Sequence, residues 1–533
     1  MIHAEYIKSI EEELTLCALL KQESFSNIDN ELYVFERIIA LEEKLAKTTD
    51  PNLINLYITF LAHIYNELGS FISDFSYLSI AEIYFNRINY EPLLDSLKYE
   101  TIFRRGRNFL GKYKIKKNDI RIKSKYEIIK KYLFPALQYV QNAFREGVVD
   151  NKIISPIIRR YILIHMADVT VNLNRWTEFQ YYLNFIPDVE KDSAFHILRA
   201  VTLDAYAKNT HSSITPELLQ EILISCWNSI NDQNVNQYNK RQAINILMEY
   251  SDLANKYGLS FSIDPNLKID FASLNHINPK FVHTKYRKWC LENNLALNEH
   301  SLFCTCQLAS QDNLKLRTNH KHTHKKWLIN FQFLIDQLKF DFENARMNYY
   351  ASLKFVENLG STSTKKEIKN NSLSLNKKSR LLINSFKLTY SILDRIAVSL
   401  ISIYDEVSDK NMYFHDFIDY IKKKLNFERK FYLTSLESVA IELHPTNIDS
   451  TLSIYKVWRD AIEHNFFFLV NKNSKLDEIK YLYKNFQRVT FEYESVFRDR
   501  TLHLMQLTKS CIFSLVYLLR RESCERFFDH NDV

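Results

Sequence analysis

Residues Trp458 to Asn465 read WRDAIEHN, which sets Arg459 and His464 five positions apart. An imidazole accepts or delivers a proton near pH 7, its reference pKa being about 6.5. A guanidinium offers fixed, paired donors to phosphate oxygens. Together they could move a proton and hold the negative charge that gathers on a phosphorus centre under attack. Spacing alone favours a plainer reading. On an α-helix the neighbours are Arg459 with Glu463 and Asp460 with His464, a solvated face worth about 0.2–0.5 kcal/mol per pair. Arg459 and His464 point about 140° apart around the axis. They converge only if the arginine reaches back or the helix ends near His464.

A second group of reactive side chains is Cys304 and Cys306, followed by His320, His322 and His324. Thiolate and imidazole suit zinc. The C-x-C and H-x-H spacings are not the usual C-x₂₋₄-C and H-x₃₋₅-H, so a solvated polar loop is the preferred reading. Phosphate-cradling chemistry is excluded more firmly. The 533 residues include only six glycines, and neither G-x-G-x-x-G nor G-x-x-x-x-G-K-[ST] occurs.

Six glycines and nine prolines leave little material for hairpins and tight turns, so the chain should be mostly helical. The N-terminal stretch MIHAEYIKSIEEELTLCALL carries no signal-peptide pattern. No uncharged apolar run reaches the length of a membrane span, and CIFSLVYLL, 511–519, reads as a buried helix. Seven scattered cysteines suit free thiols in a reducing compartment. A cytoplasmic protein without membrane contact is expected. The net charge of +7 is concentrated: residues 104–131 hold twelve Lys/Arg against Asp119 and Glu127. That window carries +10 and the remainder −3. It is either a phosphate-binding strip or the solvated face of a helix hairpin.

Residues 53–92 read as two antiparallel helices in a tetratricopeptide-like frame, with small residues at Gly69 and Ala81 for close approach. A weaker copy lies at 160–187, where Asn174 replaces a glycine and Phe179 the second small residue. Such hairpins stack into curved arrays with a binding face, so a protein or peptide ligand on this region is expected. Residues 1–259 are read as the repeat region, 260–359 as an irregular and helical connection, and 360–379 as a Ser/Asn/Lys-rich linker. Residues 380–533 hold four to five apolar helices, the pattern of an up-and-down bundle. The fold class expected is all-α.

The bundle and its WRDAIEHN stretch resemble the HEPN superfamily, whose signature is R-x4–6-H with Asn, Asp or His commonly following the arginine. The chain is similar to the bacterial branch that joins N-terminal tetratricopeptide repeats to a C-terminal HEPN bundle. The likeness is carried by RWTEFQYYLNFIP, YRKWCLENNLALN, ENARMNYY, LTYSILDRIAVSL, WRDAIEHN and RDRTLHLMQLTKSCIFSLVYLL, in that order over roughly 160–523. It departs from the branch at Asn174 and at ALNEHS, where an LNP-like turn is usual.

The resemblance implies a metal-independent ribonuclease acting in stress or anti-phage defence, with RNA as substrate, no cofactor, and a homodimer whose two motifs face one cleft. It makes His464 the acid/base candidate and Arg459 the charge stabiliser. Asp460 would orient the imidazole from one turn back, Asp394 would be an acid from the facing helix, and Glu463 would lock Arg459 or lie on the surface. The tract Asn465–Val470 is either dimer interface or intrachain core. Two other readings stay open: an inactive bundle that only dimerises or binds RNA, and a zinc-stabilised adaptor.

Overall fold

The computed structural model describes residues 28–93, 95–119, 125–149, 156–187, 191–210, 215–232, 235, 237–257, 284–304, 306, 308–316, 325–354, 377–404, 414, 420–421, 423, 433–443, 454–470, 475–482, 484–485 and 488–528. Most of the proposed linker, the three histidines of 320–324, and Arg121 and Lys123 of the basic window lie outside them.

Among the described residues the chain is all-α apart from two short strands. Its helices are α1 (Ile28–Lys47), α2 (Pro51–Phe71), α3 (Phe75–Phe85), α4 (Asp95–Lys117), α5 (Lys125–Ile128), α6 (Phe134–Asn142), α7 (Pro156–Asn172), α8 (Trp176–Leu183), α9 (Ser193–Asn209), α10 (Pro216–Ile230) and α11 (Gln237–Lys256). They continue with α12 (Lys285–Glu292), α13 (Lys325–Lys354), α14 (Lys377–Tyr404), α15 (Thr434–Leu443), α16 (Ile454–His464), α17 (Leu476–Leu482) and α18 (Glu494–Phe528). Two compact units form: residues 1–173, 182–195 and 232–240 in one, and 174–181, 196–231 and 241–533 in the other.

In the first unit the 53–92 pattern folds as α2 and α3. Asp50 caps α2 by accepting from the Asn52 N–H at 2.8 Å, with Pro51 opening the helix. Gly69 is where the two helices meet, since a Cβ there would lie 2.8 Å from the backbone N of Leu78. Ala81 and Phe85 are fully buried beside it.

The first part of the basic window, Arg104 to Lys117, lies on α4, and much of its charge is spent inside the unit. Arg104, which is buried, bonds Glu67 at 3.2 Å and Glu100 at 2.7 Å. Arg107 also meets Glu67, and Lys112 meets Glu82. Lys114 meets Asp168 at 2.5 Å. All four of those acceptors, Glu67, Glu82, Glu100 and Asp168, lie outside 104–131, which is how a window at +10 coexists with a remainder at −3.

The second unit is organised around α18. Its stretch Glu494–Ser523 is apolar and long enough for a membrane span, but 94% of the apolar window is buried in the fold, as for a core helix. Helices α13 and α14 pack on each other and on α18. Three of the sequence blocks quoted above meet here in a buried polar joint. Arg346 bonds Asp312 through both terminal nitrogens, at 3.1 and 2.5 Å, and the Leu295 carbonyl at 2.7 Å. Arg287 reaches the same carboxylate at 2.9 Å. The Lys509 ammonium donates to Asn294 Oδ1 at 2.8 Å. Arg175, from a fourth block, is buried between Glu178 and Glu442 (2.5 and 2.7 Å), which ties α8 to α15. Asn174 takes the left-handed conformation, φ 61°, which asparagine adopts more readily than most residues.

One reading of the C-terminal region is corrected. Residues 380–533 were read as an up-and-down bundle of four to five helices. Instead β1 (Phe466–Val470) pairs in parallel with β2 (Val489–Tyr493), Phe466 opposite Val489, with α17 between them. FFFLV and VTFEY are the β-branched and aromatic runs that fit a pleated surface. Leu469 and Val470 are buried, whereas Phe466 is exposed.

Candidate active site

Helix α16 carries the motif on one side and an anchor on the other. Tyr455, Trp458 and Ala461 recur every third residue and are buried. Trp458 packs 5.0 Å from the ring of Phe497 and 6.1 Å from Phe386, which join it to α18 and α14. A hydrogen bond of 3.0 Å links the Tyr455 hydroxyl to His503 Nδ1. These contacts fix the rotation of the helix and leave Arg459 and Asp460 partly exposed and His464 fully on the surface.

Arg459 lies between its own helix and α14. Its Nη1 donates to Asp460 Oδ1 at 3.1 Å, and its Nη2 stands 3.8 Å from Asp394 Oδ2. The guanidinium lies over the Tyr390 ring, 5.9 Å from its centre. The other carboxylate oxygen of Asp394 accepts from the Phe414 N–H at 3.1 Å. Burial pushes the Asp394 carboxyl above the ordinary range, while the Phe414 N–H and Arg459 pull it down. A carboxyl so placed is biased toward keeping its proton, as an acid catalyst requires.

His464 is the last residue of α16. The Asn465 N–H still bonds the Ala461 carbonyl at 3.0 Å, and the Phe466 N–H already bonds the Arg488 carbonyl at 3.1 Å, so the chain passes directly from helix to strand. Strand pairing therefore holds the segment next to the imidazole.

The structure thus brings Arg459, Asp460 and Asp394 together and sets His464 at the helix end. Two expected pairings are absent among the described residues. Asp460 does not meet His464; it faces Arg459 and, at 3.7 Å, Lys456, because two cations on its inner side outweigh one imidazole. Glu463 does not lock Arg459; it pairs with Lys387 at 3.3 Å, because α14 offers a cation at that level and Asp394 claims the arginine. Lys387, Tyr390 and Lys456 were not singled out in the sequence. A signal existed: Tyr390 and Asp394 are one turn apart in LTYSILDRIA, so they share a face. A cavity of about 330 Å³ in the same unit is lined by Glu299, His300, Lys315 and Arg520 among others, and includes none of the motif residues.

The family model described as LA2681-like HEPN matches residues 322–522. The match takes in α13 as well as the helices after 380. No curated protein and no solved structure matches the chain.

Proposed function

We propose that this chain, whose residues 322–522 match the LA2681-like HEPN family model, is a metal-independent endoribonuclease whose reaction uses the 2′-hydroxyl of its own substrate. RNA carries that nucleophile and DNA does not. His464 removes its proton or protonates the departing 5′-oxygen. Arg459 donates to the phosphorane oxygens. Asp394 holds the arginine across the helix pair and is the second candidate proton donor. One motif supplies a single imidazole, so the complete cleft takes a second copy of the bundle. The helical N-terminal region acts as the sensor, and the biological setting is phage defence or stress.

The observation that carries this reading is the cross-helix contact of Arg459 with Asp394 beside a helix that stops at His464. The test is incubation of purified protein with total RNA in EDTA, under conditions that leave the circular dichroism unchanged. Cleavage by wild type and its loss in His464→Ala supports the proposal. A non-catalytic RNA-binding scaffold is favoured by one detail, the turning of Asp460 away from His464, and would show binding without cleavage.

A further inference from the structure

We propose that His300, Cys304 and Cys306 form a binding site for a thiophilic divalent cation, zinc, separate from the ribonuclease motif. One ligand atom from each residue lies within 4.8 Å of the other two. Ligands around a tetrahedral zinc sit at about 2.3 Å for sulfur and about 2.0–2.1 Å for nitrogen. The sulfurs and the nitrogen would then lie under about 4 Å apart, so the cluster closes by about an ångström or less.

The backbone is already wound for the purpose. Residues Glu299–Leu302 form a single 3₁₀ turn. Asn298 caps it by accepting from the His300 N–H at 2.9 Å, and the Asn298 amide ties back to the Leu308 carbonyl at 2.5 Å. The Cys304 N–H donates to the His300 carbonyl at 3.0 Å, which stacks residues four apart. The Cys306 N–H then donates to Cys304 Sγ at 3.3 Å.

The surroundings suit a structural ion. Arg199 donates to the Phe303 carbonyl at 3.3 Å and to Glu221 at 2.6 Å, which holds the loop from the side of α9 and α10. Glu299, at the head of the turn, is gripped by both terminal nitrogens of Arg520 on α18, at 2.8 and 3.0 Å. An ion here would close the 300–306 turn on itself, beside the point where Glu299 is already held by α18. The three protein ligands leave one tetrahedral position, which solvent fills. The spacing H-x₃-C-x-C differs from the usual zinc patterns because one turn, rather than two separate knuckles, supplies all three ligands.

The test uses the full chain, purified without a metal-affinity step. Elemental analysis should find about one zinc per chain. Replacement by Co²⁺ should give the sulfur-to-metal charge-transfer and intense d–d bands of a tetrahedral thiolate site. Cys304→Ser, Cys306→Ser and His300→Ala should each lower bound metal at least tenfold, whereas His320→Ala/His322→Ala/His324→Ala should keep it. If a variant does not fold, the wild-type Co²⁺ spectrum and the protection of two thiols from alkylation by added Zn²⁺ decide the matter. Wild-type protein that binds neither Zn²⁺ nor Co²⁺, or whose Cys304 and Cys306 are found as a disulfide without metal, would overturn the proposal. Retention of metal by His300→Ala with loss in the triple histidine variant would overturn the ligand set.

Discussion

At the scale of residues, the account rests on three side chains with different duties, His464, Arg459 and Asp394. His464→Ala should lower cleavage by about 10²–10⁴-fold, the usual worth of a positioned proton-transfer group. Arg459→Lys keeps the charge but loses the paired donors, so it should remain deficient in turnover while RNA binding is largely retained. Asp394 gives a pH prediction. Its carboxyl is raised by burial, so the folded state holds the proton more tightly than the unfolded state. That penalty is absent at low pH and grows as pH rises through the window between the two pKa values. Asp394→Asn should therefore gain stability relative to wild type as pH rises from acid to neutral, in denaturant titrations at several pH values; a constant difference would contradict it. That Arg459, Asp460 and His464 share one helix of the C-terminal region was legible from the spacing and the surrounding apolar pattern. The partners of Asp460 and Glu463 were not, because they depend on cations that α14 and α16 present only once packed.

At the scale of elements, the site depends on the rotation and length of α16. Trp458 is buried against Phe497 and Phe386, and Tyr455 is pinned to His503. Trp458→Ala should cost about 3–5 kcal/mol of stability, read from chemical denaturation. Trp458→Phe should cost much less and keep activity; equal losses for both would mean the indole has a role beyond packing. The helical periods were readable along most of the described chain because apolar residues recur at 3.6-residue intervals. Strands β1 and β2 were not read, since five-residue apolar runs have no period that separates strand from buried helix. The blocks YRKWCLENNLALN and ENARMNYY carry the family likeness, and their Arg287 and Arg346 are spent on Asp312, which lies between them in the chain.

At the scale of the whole molecule, the polar joint on α18 makes stability depend on pH. Burial lowers Lys509 to about 7, with Arg346 adding to the effect and Asp312 opposing it. Between that value and the ordinary lysine range the unfolded chain binds the extra proton, so stability should rise with pH from about 7 upward. Lys509→Met should flatten that rise in thermal melts; an unchanged slope would contradict the assignment. The shared-cleft proposal predicts a dimer by analytical ultracentrifugation, and a strictly monomeric species with full activity would contradict it. The ion pairs of α4 predict that substituting Lys114 and Lys116 changes the salt dependence of RNA binding little, because both are already matched by carboxylates. The central claim is chemical and has one direct measurement. A labelled RNA is incubated in EDTA with wild type and with folded His464→Ala, alongside the same strand bearing a 2′-deoxy residue at the cut site, and the product ends are identified. The account predicts a 2′,3′-cyclic phosphate from wild type, no cut at the deoxy position, and little or no product from the variant. Equal cleavage by His464→Ala, or scission at the deoxy position, would contradict it.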